Sequence, residues 1–220
     1  MISAHSGGRE RARPGSRAAY QAVVTSGADY AEFDVSRADD GTLLAQHSAE
    51  RLGGSSALTA AEVMQILADG GVRGHVDLKG VGFEREVVEL ALTSFGPDRF
   101  VVTTADPESV AAIGASFPGV PVGLSVGFGP ASITRDLRRL RWPLSFPLAA
   151  VRASGAGWVA MSYRYARPAV LDRGRAAGLQ TMIWTVNDDR RLTRFLADPR
   201  VAVVVTDRPE HAVALRARSA

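Results

Sequence analysis

Two carboxylates stand two positions apart in an apolar stretch of the chain. Glu32 and Asp34 lie within residues 30–36, a β-branched and aromatic run typical of a strand. Side chains two apart in a strand point to one face, so the two acids share one side while Phe33 and Val35 pack on the other. Two such carboxylates repel each other unless a cation lies between them, and a divalent ion such as Mg²⁺ or Ca²⁺ satisfies this need. The alternative is an edge strand with two solvated acids.

A second predicted strand carries three polar side chains with the same parity. His75, Asp77 and Lys79 are spaced i, i+2 and i+4, so all three face one side. Charged groups on an inward strand face are costly unless they are paired or bound. Asp77 would supply a third oxygen ligand for the same ion, and Lys79 a positive point charge for an anionic substrate.

Two histidines follow predicted strands. His5 begins a turn with Gly7 and Gly8, where glycines let the backbone approach a ligand closely. His47 follows a predicted hairpin whose turn is Asp40-Gly41. The two histidines are candidates for a general acid and a general base near pH 7. A divalent ion, a lysine and two histidines together suit phosphoryl chemistry on a phosphodiester.

The elements that position these groups alternate along the chain. Strands are predicted at residues 1–4, 30–36, 75–79, 99–104, 122–126, 158–161, 180–186 and 201–206. Helices are predicted at residues 17–26, 59–67, 84–94, 107–116, 133–140, 148–154, 168–177, 188–197 and 209–216. This alternation predicts a single-domain (β/α)8 TIM barrel over residues 1–220, with its site at the carboxyl ends of the strands. An open doubly wound sheet is the alternative.

Composition excludes several classes of function. The sequence has 26 Lys and Arg against 23 Asp and Glu, and the basic residues are scattered, so no nucleic-acid partner is expected. The absence of cysteine excludes disulfides, thiolate metal sites and a cysteine nucleophile. No apolar run reaches the roughly 18 residues of a membrane span. No signal peptide is visible, so a cytoplasmic location is expected; the oligomeric state is open.

A set of motifs in one order resembles the glycerophosphodiester phosphodiesterase family. The motifs are Ala4-His5-x-Gly-Gly, Gly27-Ala-Asp29-x-x-Glu32-x-Asp34-Val35, Asp40-Gly41 with His47, Asp77-x-Lys79, Trp184-Thr-Val-Asn187 and Thr206-Asp207-x-Pro209. They extend over nearly the whole chain, and their number and order make the resemblance specific although each motif is short.

The resemblance implies a TIM barrel that releases an alcohol from a glycerophosphodiester and leaves glycerol 3-phosphate. It implies that His5 and His47 are the acid/base pair and that Lys79 holds the phosphate. It also implies that Trp184 forms an apolar wall of the pocket. The implied metal ligands are Glu32, Asp34 and Asp77.

The chain departs from the family at four places. Ser6 stands where the family has Arg, Pro14-Gly15-Ser16 replaces a Glu-Asn-Thr run, Ser48 replaces Asp, and Asp77 replaces Glu. Without the Arg, phosphate clamping is weaker, because Lys79 alone cannot form a bidentate fork. His75 is a candidate substrate-binding substitute, although a packed, hydrogen-bonded His75 is an equal alternative. Nearby arginines that could reach back over the mouth are Arg9, Arg11 and Arg13.

Three interpretations of function therefore stand side by side. The first is a metal-dependent phosphodiesterase that hydrolyses a small phosphodiester substrate. The second keeps the barrel and metal but changes the reaction, for example to a lyase that forms a cyclic phosphate or to an enzyme of specialised metabolism. The third is a non-catalytic barrel that binds phosphate. Metal-dependent turnover separates the first two from the third, because a pure binder needs no acid/base pair.

Overall fold

The protein is described by a computed structural model that covers residues 1–47, 57–127 and 148–219. The strands are β1 (Ile2–Ala4), β2 (Tyr30–Arg37), β3 (Leu43–Leu44), β4 (Arg73–Leu78), β5 (Phe100–Thr104), β6 (Val122–Val126), β7 (Trp158–Ser162), β8 (Gln180–Trp184) and β9 (Val203–Thr206). The helices are α1 (Arg17–Val23), α2 (Ala60–Asp69), α3 (Glu84–Phe95), α4 (Pro107–Ser116), α5 (Leu148–Ser154), α6 (Pro168–Ala176), α7 (Asp189–Leu196) and α8 (Pro209–Ser219).

Eight of the described strands close into a parallel barrel. Their order around the ring is β1-β2-β4-β5-β6-β7-β8-β9, and the ring closes because β1 pairs in parallel with both β2 and β9. The short β3 pairs antiparallel with the end of β2 and stands outside the ring. The prediction of a (β/α)8 TIM barrel is confirmed.

Strand alternation divides the core into two layers. The inner layer holds a cluster of apolar side chains inside the barrel: Tyr30, Val101, Ala160, Met182, Val203 and Val205. The outer layer lies between strands and helices, and it buries Phe33 and Val35 completely. Tyr20 of α1 meets Phe33 edge to face, with ring centroids 6.3 Å apart. Glu32 and Asp34 alternate with Phe33 and Val35 along β2, so their side chains face the inside of the barrel as predicted.

Local sequence signals set several helix boundaries. Thr59 and Glu62 form a capping box at the start of α2. Asp106 caps α4, and Pro107 stands in its first turn. The helix α1 ends at Val23, three residues before the predicted end; beyond it the backbone N–H groups of Thr25 and Ser26 donate to the carbonyls three residues back. The predicted helix at residues 133–140 lies outside the described residues.

Among the described helices, none has the length and apolar character that a membrane span requires.

Candidate active site

Three carboxylates meet at the carboxyl end of two neighbouring strands. The register pairs Asp34 of β2 with Asp77 of β4, so their side chains stand side by side on the inner face. Glu32, one step deeper, offers an oxygen to the same cluster, and one oxygen of each acid lies within 4.8 Å of the others. Glu32 is only 4% exposed. The backbone N–H of Ser6 donates to its Oε2 at 2.8 Å.

Lys79 bridges two of these acids. Its Nζ lies 2.5 Å from Asp77 Oδ2 and 3.0 Å from Asp34 Oδ1. Burial alone would lower the pKa of Lys79, but the two carboxylates raise it above its ordinary value. Lys79 therefore stays protonated and neutralises part of the negative charge of the cluster.

The carboxylate cluster fits a hard divalent cation. When all three acids are ionised, Lys79 balances one of their three charges, and a divalent ion would balance the remaining two. Burial, followed by the charge of Asp34, raises the pKa of Glu32. The ionised form of this carboxylate is therefore disfavoured unless a further cation lies beside it. Carboxylate oxygens are the donors that Mg²⁺ and Ca²⁺ prefer. Glu32, Asp34 and Asp77 are therefore a suitable ligand set.

His5 is held in place by the last strand of the barrel. Its Nδ1 lies 2.7 Å from Oδ1 of Asp207, the residue that follows β9. Asn187 holds the other oxygen of Asp207, with its Nδ2 donating to Oδ2 at 2.6 Å. Burial alone would lower the pKa of His5, but the hydrogen bond to Asp207 and the charges of Glu32, Asp207 and Asp34 raise it to about 9. Nε2 of His5 makes no hydrogen bond among the described residues.

His47 is not a member of this hydrogen-bonded group. It is exposed on the bend after β3. Within the described part of the chain its imidazole makes no hydrogen bond or ion pair. Ser48 lies outside the described residues.

His75 is packed inside the barrel. It is 3% exposed, and both ring nitrogens have partners: Nδ1 lies 3.2 Å from Ser3 Oγ, and Nε2 lies 3.0 Å from Thr103 Oγ1. Burial lowers its pKa to about 4, so His75 is neutral at pH 7. The Thr103 hydroxyl donates in turn to Asp77 Oδ1 at 2.9 Å. This geometry favours the packed alternative, in which His75 orients Thr103 and, through it, Asp77.

Trp184 ends β8 at the same end of the barrel. Its indole packs with the inner apolar cluster and contacts the backbone at Gly127. A Cβ at position 127 would lie 2.3 Å from the indole ring, so glycine is needed for this approach. The placement is compatible with an apolar wall of the pocket.

Three further residues complete the site, and motif spacing alone assigned them no contacts. Asp207 and Asn187 belong to two of the motifs but have no assigned role there, and no motif contains Thr103. Of the arginines that follow β1, Arg9 reaches the site: its Nε lies 3.2 Å from Asp207 Oδ1. Arg11 instead forms an ion pair with Glu210.

Solved structures of phosphodiesterases share this fold. No protein-family model and no curated protein sequence matches the chain. A glycerophosphodiester phosphodiesterase from Parabacteroides distasonis aligns with a TM-score of 0.77 at 18% identity, covering 100% of this chain and 98% of that chain. One from Agrobacterium tumefaciens aligns with a TM-score of 0.74 at 18% identity, covering 99% of each chain.

A third structure has a bound product. A phosphodiesterase from Oleispira antarctica, in complex with sn-glycerol-3-phosphate, aligns with a TM-score of 0.76 at 15% identity, covering 98% of this chain and 96% of that chain. At these identities the likeness concerns the fold. The chain therefore has the TIM-barrel fold of glycerophosphodiester phosphodiesterases of known structure.

Proposed function

We propose that the protein is a metal-dependent phosphodiesterase that cleaves a glycerophosphodiester, or a related small phosphodiester, to an alcohol and a phosphomonoester. The observation that carries this proposal is the meeting of Glu32, Asp34 and Asp77 around Lys79. This cluster lies at the same end of the barrel as His5, which Asp207 holds. The bound product of the Oleispira antarctica phosphodiesterase supports the same substrate class.

The metal ligands are Glu32, Asp34 and Asp77, and the ion is Mg²⁺ or Ca²⁺. When bound there, such an ion supplies positive charge that stabilises the developing negative charge on the phosphoryl oxygens. Lys79 adds a protonated ammonium beside the same oxygens, because its two carboxylate partners keep it charged. Its role is to bind and neutralise the phosphoryl group.

Proton transfer belongs to the two histidines. Asp207 accepts from Nδ1 of His5, which orients the ring and leaves Nε2 for the substrate. Protonated His5 donates its Nε2 proton to the departing alkoxide as the bond between phosphorus and the alcohol oxygen breaks. His47 takes the proton of the attacking hydroxyl as the new bond to phosphorus forms. If that hydroxyl belongs to water, the product is a phosphomonoester; if it is the substrate's own adjacent hydroxyl, the product is a cyclic phosphate.

The experiment measures turnover of glycerophosphocholine and of bis(p-nitrophenyl) phosphate with Mg²⁺, with Ca²⁺ and with EDTA. We expect turnover with a metal, none with EDTA, and a loss of at least about a hundredfold in kcat in His5→Ala. His211→Ala, which removes the half-exposed histidine of α8, is the matched control and should retain activity. Phosphorus NMR of the products distinguishes hydrolysis from cyclisation. A protein that binds the ion but turns over neither ester contradicts the proposal and supports a phosphate-binding barrel.

A further inference from the structure

A chain of buried hydrogen bonds crosses the inside of the barrel and ends on Asp77. Its members are Ser3 of β1, His75 of β4 and Thr103 of β5, each at most 3% exposed. Ser3 Oγ lies 3.2 Å from His75 Nδ1, and His75 Nε2 lies 3.0 Å from Thr103 Oγ1. The Thr103 hydroxyl then donates to Asp77 Oδ1 at 2.9 Å. Three strands thus contribute one residue each to a chain that reaches a proposed metal ligand.

The carboxylate at the end of this chain fixes the direction of every hydrogen bond in it. Asp77 only accepts, so the single proton of the Thr103 hydroxyl is committed to Oδ1. The Thr103 oxygen must then accept from His75, which places a proton on Nε2. In the neutral imidazole the other nitrogen, Nδ1, is an acceptor, and it receives the hydroxyl proton of Ser3. Every donor therefore points towards Asp77.

Both oxygens of Asp77 are held, but by partners of different stiffness. Lys79 lies 2.5 Å from Oδ2, and it also contacts Asp34 at 3.0 Å. Its ammonium ends a flexible four-carbon stem. Thr103 is a β-branched residue of the neighbouring strand and stands level with Asp77 in the register of β4 and β5. The Thr103 hydroxyl is thus the rigid partner that fixes the plane of the Asp77 carboxylate.

The first two members of the chain fix the Thr103 hydroxyl in turn. A threonine hydroxyl rotates to suit its partners, and the N–H of His75 leaves it one orientation, with its proton aimed at Asp77. Ser3 acts on the ring in the same way, because its donation to Nδ1 keeps the ring proton on Nε2. Without Ser3 the ring is free to carry its proton on Nδ1, and a bare Nε2 would compete with Asp77 for the proton of Thr103. Each member therefore removes an alternative arrangement of the next.

We propose that Ser3, His75 and Thr103 are positioning residues that set the affinity of the carboxylate cluster for its divalent ion. This inference rests on the proposed function, which makes Asp77 one of three carboxylate ligands. A ligand that is already held in one orientation loses little conformational freedom when the ion binds, so more of its interaction with the ion appears as affinity. Loss of such a hydrogen-bond partner typically weakens metal binding by about ten- to a hundredfold.

Isothermal titration calorimetry of the metal-free protein with Mg²⁺ and with Ca²⁺ measures this affinity without substrate. In Thr103→Val, which keeps the shape of the side chain and removes the hydroxyl, the Kd should rise at least about tenfold. Thr103→Ser restores the hydroxyl and should return the Kd to near the wild-type value. The matched control is Thr104→Val, which removes the hydroxyl of the next residue of β5, also buried but on the opposite face of the strand. This control should bind the ion as the wild type does.

A double-mutant cycle tests whether the residues act as one chain. Ser3→Ala alone should raise the Kd at least about twofold, and it should have no further effect in the Thr103→Val background, where the chain is already cut. Effects of the two substitutions that simply multiply would overturn the chain. If Thr103→Val does not fold in EDTA, as judged by circular dichroism, the Kd of Ser3→Ala decides the question.

Turnover distinguishes positioning from a general structural role. In Thr103→Val the ion concentration that gives half-maximal turnover should rise, while kcat at saturating ion stays near the wild-type value. A variant with a lower kcat and an unchanged Kd would show that Thr103 only supports the structure.

The outcomes also separate this inference from the proposed function. A wild-type Kd in Thr103→Val overturns the inference and leaves the phosphodiesterase standing. Ion binding that depends on Thr103, in a protein that turns over neither glycerophosphocholine nor bis(p-nitrophenyl) phosphate, overturns the phosphodiesterase and leaves the positioning chain standing. A wild-type protein that binds neither ion overturns both proposals.

Discussion

Asp207 accepts a hydrogen bond from Nδ1 of His5 at 2.7 Å, although 202 residues separate them. The contact exists because β1 pairs with β9, with Ala4 level with Thr206, so that the residues after the two strands meet at the mouth. A carboxylate on Nδ1 sets the tautomer and orientation of an imidazole and stabilises its protonated form. Asp207 is therefore a positioning residue for the proposed general acid.

Asp207→Asn should lower kcat by about a hundredfold or more, because the amide no longer stabilises the protonated imidazole. KM should change little, since Asp207 lies behind the histidine. The measurement is steady-state kinetics across a pH series, where the alkaline limb attributed to the deprotonation of His5 should move to lower pH. Asp172→Asn, which loses an exposed contact with Arg200, serves as the control. Wild-type kcat in Asp207→Asn would show that His5 does not depend on this partner.

Glu32→Gln should change the free energy of unfolding in opposite directions without and with the metal ion. The pKa of Glu32 is raised by burial and by Asp34, so its ionised form costs stability at neutral and higher pH. In EDTA at pH 8, the variant should therefore be more stable than the wild type, by about 1–3 kcal/mol. With Mg²⁺ or Ca²⁺ the order should reverse, because the variant lacks one ligand and gains less from binding.

Calorimetry of both proteins with EDTA and with a titration of each ion provides the measurement. A Glu32→Gln protein that is stabilised by the ion as strongly as the wild type would show that Glu32 is not a ligand.

Lys79→Met should destabilise the metal-free protein. The substitution keeps the aliphatic length and removes the ammonium that lies between Asp34 and Asp77, which leaves their repulsion uncompensated. We expect a loss of about 2–3 kcal/mol in the free energy of unfolding in EDTA. Millimolar Mg²⁺ or Ca²⁺ should restore part of that loss, because the ion substitutes for the missing charge. Urea unfolding with and without the ion tests this, and equal losses in both conditions would contradict it.

His75 should contribute stability to the metal-free protein that is lost as pH is lowered, opposite in sign to the contribution of Glu32. Its folded pKa is lowered to about 4 by burial, below the ordinary value of 6.5. Between these values the unfolded chain binds a proton that the folded protein does not, so stability is present at higher pH and is lost as pH falls through this window. The contribution is about 3 kcal/mol between pH 7 and pH 4.

In His75→Gln this contribution should disappear, so lowering the pH from 7 to 4 should reduce the free energy of unfolding by about 3 kcal/mol less in the variant than in the wild type. Urea unfolding in EDTA at several pH values measures the slope. His211→Gln, at a half-exposed position, should keep the wild-type slope. A slope that is the same in His75→Gln and in the wild type would mean that His75 is charged, or solvated, in the folded protein.

Patterns within short segments determined much of this protein. The alternation of strands and helices predicted the barrel, since a period of two and a period of 3.6 are properties of local backbone geometry. The period of two also placed Glu32 and Asp34 on one face of β2. In each case the residues that interact are near neighbours in the chain.

Tertiary structure alone decided which distant groups meet. The register of β2 against β4 brings Asp34 level with Asp77. Closure of β1 on β9 brings Asp207 to His5. Burial decided that His75 is a neutral, hydrogen-bonded residue and not an exposed donor. Register, barrel closure and burial arise from packing the whole chain, and a motif of a few residues contains no information on the partner that lies opposite.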